Sequence, residues 1–217
     1  CWAFSNHDVQ RHISRFAETA EERPRVAKLA ISVLASLRGS ICLYQGEELG
    51  LPEADLAFED LRDPYGIRFW PAFQGRDGCR TPMVWEGATS QAAFSTAKPW
   101  LPVPPEHLPL AVDMQEHDVG SVLAHYRQTL AFRKSLDIML DGSMTFLDTN
   151  QDVLAFTREK DGETLLFVFN LTREPVVFTG AEHLNVNELI AWPGFSAVYA
   201  DGDIHLDALD MFCARLG

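Results

Sequence analysis

Hydrophobic positions change rhythm along this chain. Cys1-Trp2-Ala3-Phe4 is an apolar run that stops abruptly at Asn6-His7-Asp8. Farther on, Val26, Leu29, Ala30, Val33, Leu34 and Leu37 fall at helical spacing and trace one broad apolar face. Glu21 and Glu22 precede that face, Pro24 suits a first helical turn, and Gly39 suits the end. A second apolar run, Ser40-Ile-Cys-Leu-Tyr44, again ends in polar groups, Gln45-Gly-Glu-Glu48. The unit reads β–loop–α–β, the repeat of a parallel barrel or a doubly wound sheet. In a barrel of this kind the chemistry sits where strands end, and both polar clusters fall there.

Residues 50–118 hold most of the prolines and several tryptophans, with little periodicity; a long irregular segment in a compact protein usually serves function. Val119, Leu123, Tyr126 and Leu130 then predict a second helix, whose tail, Phe132-Arg133-Lys134, places base at the C-terminal end. From residue 143 the rhythm becomes that of short strands: Met144–Asp148, Val153–Arg158, Thr164–Asn170, Pro175–Thr179 and Ser196–Ala200. Asp161-Gly162 is a hairpin signal between two of them. These runs predict an antiparallel sheet or sandwich. The expected division is 1–142, a barrel portion, and 143–217, a β domain.

Composition narrows the function. Eighteen Lys+Arg stand against 31 Asp+Glu, a net charge of −13. Nucleic acid and anionic membrane surfaces require basic patches, so neither is an expected partner, whereas a neutral ligand such as a sugar is compatible. No apolar stretch reaches the ~18 residues of a membrane span. The four cysteines, Cys1, Cys42, Cys79 and Cys213, lack CxxC spacing, so no metal site is expected. Cys42 lies in an apolar run and reads as a reduced core thiol, which favours a cytoplasmic over a periplasmic location. The chain opens on its first strand with no preceding methionine, so the expectation is a C-terminal piece of a longer barrel.

Four segments together resemble the α-amylase superfamily of glycoside hydrolases (family 13), in its α-glucosidase and oligo-1,6-glucosidase branch. They are Phe4-Ser-Asn-His-Asp8, Tyr44-Gln-Gly-Glu-Glu-Leu-Gly50, Gly75-Arg-Asp-Gly-Cys-Arg-Thr-Pro-Met-Val-Trp85 and Tyr126-Arg-Gln-Thr-Leu-Ala-Phe-Arg-Lys134. The resemblance implies a fold: the C-terminal part of a (β/α)8 barrel, with Cys1–Asp8 as strand seven and Ile41–Gln45 as strand eight, followed by an antiparallel β-sandwich domain. It implies retaining hydrolysis of α-glucosidic bonds in short, maltose-like or isomaltose-like α-glucosides, with no cofactor.

Read alone, Asp8 is either a carboxylate aimed at a ligand or a loop residue capping the next helix. The resemblance makes it the family's third carboxylate, which holds sugar hydroxyls and stabilises the transition state. His7 donates to the same hydroxyls, and Asn6 orients the turn. An arginine of the Gly75 segment pairs with a barrel aspartate and closes the −1 subsite; Arg76 is the preferred candidate and Arg80 its structural partner. The alternative is that both arginines pin their loop through Asp77. Glu47 and Glu48 point to opposite sides of a strand end and read as loop scaffolding. Trp70, Trp85 and Trp100 either stack on sugar or, as the preferred reading, fix the loop to the barrel wall.

Nucleophile and acid/base come from strands four and five in this family, so the missing N-terminal part of the barrel is the expected partner and the isolated chain is expected to be inactive. Three further readings remain open. One is an α-glucosyl transferase or isomerase of the isomaltulose or trehalulose synthase type. The others are a non-catalytic barrel homologue and a carbohydrate-binding β module in 143–217; for the last, mutation of Trp192 is expected to leave starch binding unchanged.

Overall fold

The computed structural model describes residues 1–149 and 152–217. The chain forms two compact units, Cys1–Ala27 with Ile41–Arg127, and Lys28–Ser40 with Gln128–Gly217. Six α-helices occur among the described residues: α1 (His12–Phe16), α2 (Arg23–Ser36), α3 (Pro64–Phe69), α4 (Val112–Gln115), α5 (Val122–Ser135) and α6 (Asp137–Asp141). Helix α2 is the one the apolar spacing predicts: Val26, Leu29, Ala30, Val33, Leu34 and Leu37 are all buried, and Gly39 follows at φ 112°. Helix α5 starts three residues later than Val119 suggests. Val119 is 86% exposed and lies in the turn before the helix. Arg133 and Lys134 do occupy its last turn.

In the first unit, among the described residues, the two runs expected as barrel strands are joined by a parallel bridge, Trp2 with Ile41, where Cys42 N donates to Trp2 O at 2.9 Å. A parallel ladder is stabilised by neighbours on both sides; among the described residues these runs have only each other. Cys42, expected in the core, is exposed for the same reason. The irregular segment supplies its own cores: Leu49, Leu51, Val84, Ala111 and Leu123 form one cluster, and Ala54, Leu56, Leu61 and Leu101 another.

Among its described residues the second unit carries eight strands: β1 (Ser143–Phe146), β2 (Val153–Lys160), β3 (Glu163–Asn170), β4 (Val176–Phe178), β5 (Val186–Leu189), β6 (Val198–Ala200), β7 (Asp203–Leu206) and β8 (Asp210–Leu216). They make an antiparallel five-stranded sheet, β1-β2-β3-β8-β5, and a three-stranded sheet, β4-β7-β6. Ala155, Leu166, Val168 and Phe212 from the first sheet pack with Phe178, Ile204 and Leu206 from the second, so a core lies between the sheets. The five-stranded sheet is buried on its other face too, where the rings of Phe156, Phe167 and Phe169 lie 5.5–6.4 Å apart and Trp192 stands edge-on to Phe167 and Phe132. Burial on both faces explains why Leu165-Leu-Phe-Val-Phe169 is apolar without alternation. Asp161 and Gly162 form the β2–β3 hairpin at φ 52° and 84°, the positive values a two-residue turn needs. Strands β5, β7 and β8 are absent from the sequence expectation.

Candidate functional site

His7 and Asp8 lie in the turn that follows the Trp2 bridge. The Asn6 side-chain oxygen accepts from Asp8 N at 2.8 Å and shapes that turn. Three residues after Asp8, Arg11 is fully buried and ties three segments together. Its Nη1 donates to Gln45 O at 2.7 Å and its Nη2 to Cys79 O at 3.0 Å; its backbone amide donates to Glu53 Oε2 at 2.8 Å. The guanidinium lies 5.3 Å from the Tyr44 ring centroid, and burial depresses its pKa. This one side chain brings the Asp8 turn, the end of the second apolar run and the Cys79 loop to a common edge.

The four residues singled out from the sequence converge there. Arg76 Nη1 donates to Asp8 Oδ1 at 2.9 Å and Arg80 Nη2 to the same oxygen at 3.0 Å. Arg80 Nε donates to His7 O at 2.7 Å, and His7 Nε2 lies 3.3 Å from Asp8 Oδ2. Asp8 is thus held on one oxygen by two guanidinium groups, the charge-assisted geometry that suits a carboxylate. Its side chain is still half exposed, and it lines a cavity of about 250 Å³ together with Gln10, Glu53, Phe73, Gln74 and Arg76.

Asp63 positions Arg76. It caps α3 by accepting from Tyr65 N at 3.1 Å, and Pro64 takes the first helical position. Its carboxylate accepts from Arg76 Nε, Nη2 and backbone N at 2.8, 3.1 and 2.9 Å. Those bonds pull the Asp63 pKa down to about 2 and hold the Arg76 guanidinium well above its usual value. Gly75 lets the strap close: it sits at φ 79°, and a Cβ there would come within 2.9 Å of the Gly66 backbone.

The idea that the arginines pin their loop through Asp77 is not what the structure shows. Asp77 Oδ2 accepts from the backbone amides of Arg62 and Asp63, both at 2.6 Å. Glu47 is buried and accepts from Ser5 N at 3.1 Å beneath the site. Burial raises its pKa to about 7, whereas burial and the charges of Arg15 and Arg11 lower that of His12 to about 4. Trp70, Trp85 and Trp100 are 36%, 49% and 57% exposed within this chain, and the Trp70 ring lies 5.7 Å from that of Phe58. Sequence reasoning missed Arg11, Glu53 and Asp63. Of these only Asp63 carried a signal, an Asp-Pro pair at a helix start. Among the described residues no group of three His, Cys, Asp or Glu could hold a metal, and no helix is long and apolar enough to cross a membrane.

The chain is similar to known proteins along its whole length. The family profile described as alpha amylase, catalytic domain, matches residues 1–142, and that of the maltogenic amylase C-terminal domain matches 144–212. A probable alpha-glucosidase of Rhizobium meliloti (strain 1021) is 48% identical over 216 residues, which is all of this chain and 39% of the relative. An oligo-1,6-glucosidase of Heyndrickxia coagulans is 32% identical across 81% of this chain and 35% of the relative. The crystal structure of an alpha-glucosyl transfer enzyme, XgtA, superposes with a TM-score of 0.93 at 46% identity, covering all of this chain and 40% of XgtA. The chain therefore spans about two fifths of the length of such relatives, and with a catalytic-domain match over 1–142 ahead of a C-terminal domain match, it belongs to the alpha-amylase family of glycoside hydrolases.

Proposed function

We propose that this chain supplies part of the glucosyl-binding subsite of a retaining, exo-acting α-glucosidase acting on short α-glucosides. The observation that carries this reading is the convergence of Arg76 and Arg80 on Asp8 Oδ1 beside a cavity. Asp8 serves as the transition-state-stabilising carboxylate: a charged acceptor binds sugar hydroxyls more strongly than a neutral one, and bonds to the 2-hydroxyl strengthen as the ring flattens. His7 donates to the same hydroxyls. Arg76, held by Asp63, closes the subsite, and Arg80 fixes the backbone of His7.

The two carboxylates that break the bond lie outside this chain in the same reading, on the N-terminal part of the barrel, which is its partner. Residues 1–142 belong to the barrel and 143–217 to the β domain, and the compartment is the cytoplasm. Turnover requires the full-length protein; the 217-residue chain alone is inactive on a chromogenic α-glucoside. The test is release of glucose from maltose and isomaltose by the full-length protein, with Asp8→Asn as the control. No glucose from either disaccharide overturns the reading.

A second reading, transfer of the glucosyl unit to an acceptor other than water, is favoured by the likeness to XgtA, a structure described as an alpha-glucosyl transfer enzyme. Product analysis on sucrose separates the two: new glucosides or isomerised disaccharides mark transfer, in which the leaving group is fructose, and glucose freed in equal amount to fructose marks hydrolysis.

A further inference from the structure

Beneath the Asp8 turn lies a buried polar cluster that the proposed subsite does not use. Ser5, His12 and Glu47 are 3%, 1% and 2% exposed. This chain's own atoms bury them, so their contacts need no residue outside it. Ser5 Oγ accepts from His12 N at 2.9 Å and lies 2.9 Å from His12 Nδ1. These two contacts close residues 5–12 into a loop with a narrow neck, and Asp8 sits on that loop. Glu47 Oε1 accepts from the Ser5 amide at 3.1 Å and lies 3.8 Å from His12 Nδ1. One carboxyl oxygen from the end of the second apolar run thus grips the neck.

The turn that carries Glu47 is itself well tied. Leu49 N and Leu51 N both donate to Gly46 O, at 3.3 and 3.0 Å, and Gly50 N donates to Glu47 O at 3.0 Å. Tyr126 faces this turn from α5: burial, followed by the charges of Glu47 and Glu48, pushes its pKa up. Burial also raises the Glu47 pKa to about 7. A carboxyl in such a place is costly, and an apolar side chain of similar volume would not incur that cost. Buried acids this strongly perturbed collect at functional sites. The far end of the loop is held separately, by Arg76 and Arg80 on Asp8 Oδ1. The arginines act on the carboxylate, and Glu47 acts on the backbone three residues before it.

We infer that Glu47 is a positioning residue for the reaction: by accepting from the Ser5 amide it fixes the neck of the 5–12 loop and so sets where the Asp8 carboxylate stands. The effect on rate rests on the α-glucosidase reading. A shift of about 1 Å at a reacting centre can cost on the order of 100-fold. Bonds to the sugar 2-hydroxyl strengthen in the transition state, so a displaced Asp8 lowers kcat more than it changes KM. A glutamine at position 47 presents the same acceptor atom, whereas a methionine of similar size offers only a weakly accepting thioether.

The experiment measures kcat and KM on a chromogenic α-glucoside for the full-length protein, with Glu47 varied in wild-type and Asp8→Asn backgrounds. Glu47→Met is expected to lower kcat about tenfold or more and to change KM less than about threefold; Glu47→Gln restores most of the rate. In the Asp8→Asn background the Glu47→Met loss shrinks below about threefold, because the two residues act through one group. A loss of equal size in both backgrounds, an undiminished kcat, or a Gln variant as impaired as Met overturns the inference while the glucosidase reading stands. Should Glu47→Met fail to fold, Ser5→Ala opens the same neck from its other side. It is expected to lower kcat about three- to tenfold in the wild-type background only, and an equal loss in both backgrounds, or none, overturns the inference. If wild type turns over no α-glucoside, the glucosidase reading fails instead, and crystal structures of full-length wild type and Glu47→Met decide the positioning role. Asp8 displaced from Arg76 and Arg80 supports it; Asp8 in its wild-type place overturns it.

Discussion

Arg76 reaches Asp8 from 68 positions along the chain, with its Nη1 2.9 Å from Asp8 Oδ1. Half of the Asp8 side chain is exposed, so solvent screens the pair and it adds ~1 kcal/mol or less to stability. Its importance is positional, because it fixes the direction of one carboxylate at the rim of a cavity. Asp8→Asn keeps the shape and removes the charge. The expected result is a nearly unchanged melting temperature and a kcat/KM on maltose at least ~100-fold lower in the full-length protein. Full activity in this variant would remove Asp8 from the chemistry.

Asp63 is the buried half of the same arrangement, and its loss is expected to damage stability as well as rate. Asp63→Ala leaves Arg76 Nε and the Arg76 and Tyr65 amides without their acceptor, at a cost of about 2–4 kcal/mol. The pH dependence has a definite sign. The folded pKa, about 2, lies below the ordinary 3.8. The unfolded chain therefore binds the proton first, and the contribution is complete above about pH 4 and lost as pH falls through about 2. Thermal melts of wild type and Asp63→Asn are expected to differ most near neutrality and to approach each other in strong acid. A gap that does not change with pH would show that the ion pair is not its source.

Much of this organisation is legible in the sequence, and the failures have physical causes. The 3.6-residue spacing of α2 marks a helix with one buried face, and Asp161-Gly162 marks a hairpin because both residues must adopt positive φ. Strand β8 escapes notice because Asp-Met-Phe-Cys-Ala-Arg-Leu has no β-branched residue and no alternation; it is a strand through its pairing with β3 and β5. That Asp8, Arg76 and Arg80 serve one site is what the family resemblance implies; that both arginines meet on one oxygen of Asp8 is seen only in the structure. The role of Arg11 is not legible, because nothing local distinguishes a buried arginine that bonds to distant carbonyls from a solvated one.

Glu47 and His12 lie 3.8 Å apart under the site, both buried, and their titrations oppose each other. Burial raises Glu47 from 4.5 to about 7. The folded chain thus keeps a proton that the unfolded chain has released, and stability falls as pH rises from about 4.5 through 7. His12 is lowered from 6.5 to about 4; its unfolded form protonates first, so stability is lost as pH falls from about 6.5 through 4. Glu47→Gln removes the first effect alone. It is expected to be stabilised relative to wild type at about pH 8, with the advantage shrinking toward about pH 5. Chemical denaturation at several pH values measures this, and a constant difference refutes the raised Glu47 pKa.

Arg158 is the strongest test of how the β unit holds its shape. It is fully buried, and among the described residues no carboxylate appears as its hydrogen-bond acceptor. Its three nitrogens donate to the carbonyls of Ser143, Ser36, Met139, Ile138 and Gly142 at 2.9–3.2 Å. Burial and the charges of Arg133 and Arg38 lower its pKa to about 10, so it remains charged at neutral pH. The planar fork addresses carbonyls at the end of α2, along α6 and at the start of β1 at once; an ammonium presents three donors from one point and cannot span them. Arg158→Lys is therefore expected to cost about 3 kcal/mol. In guanidinium denaturation this appears as a lower midpoint with an unchanged slope. A loss below about 0.5 kcal/mol would mean that these carbonyls find other partners and that the arginine is dispensable to the fold.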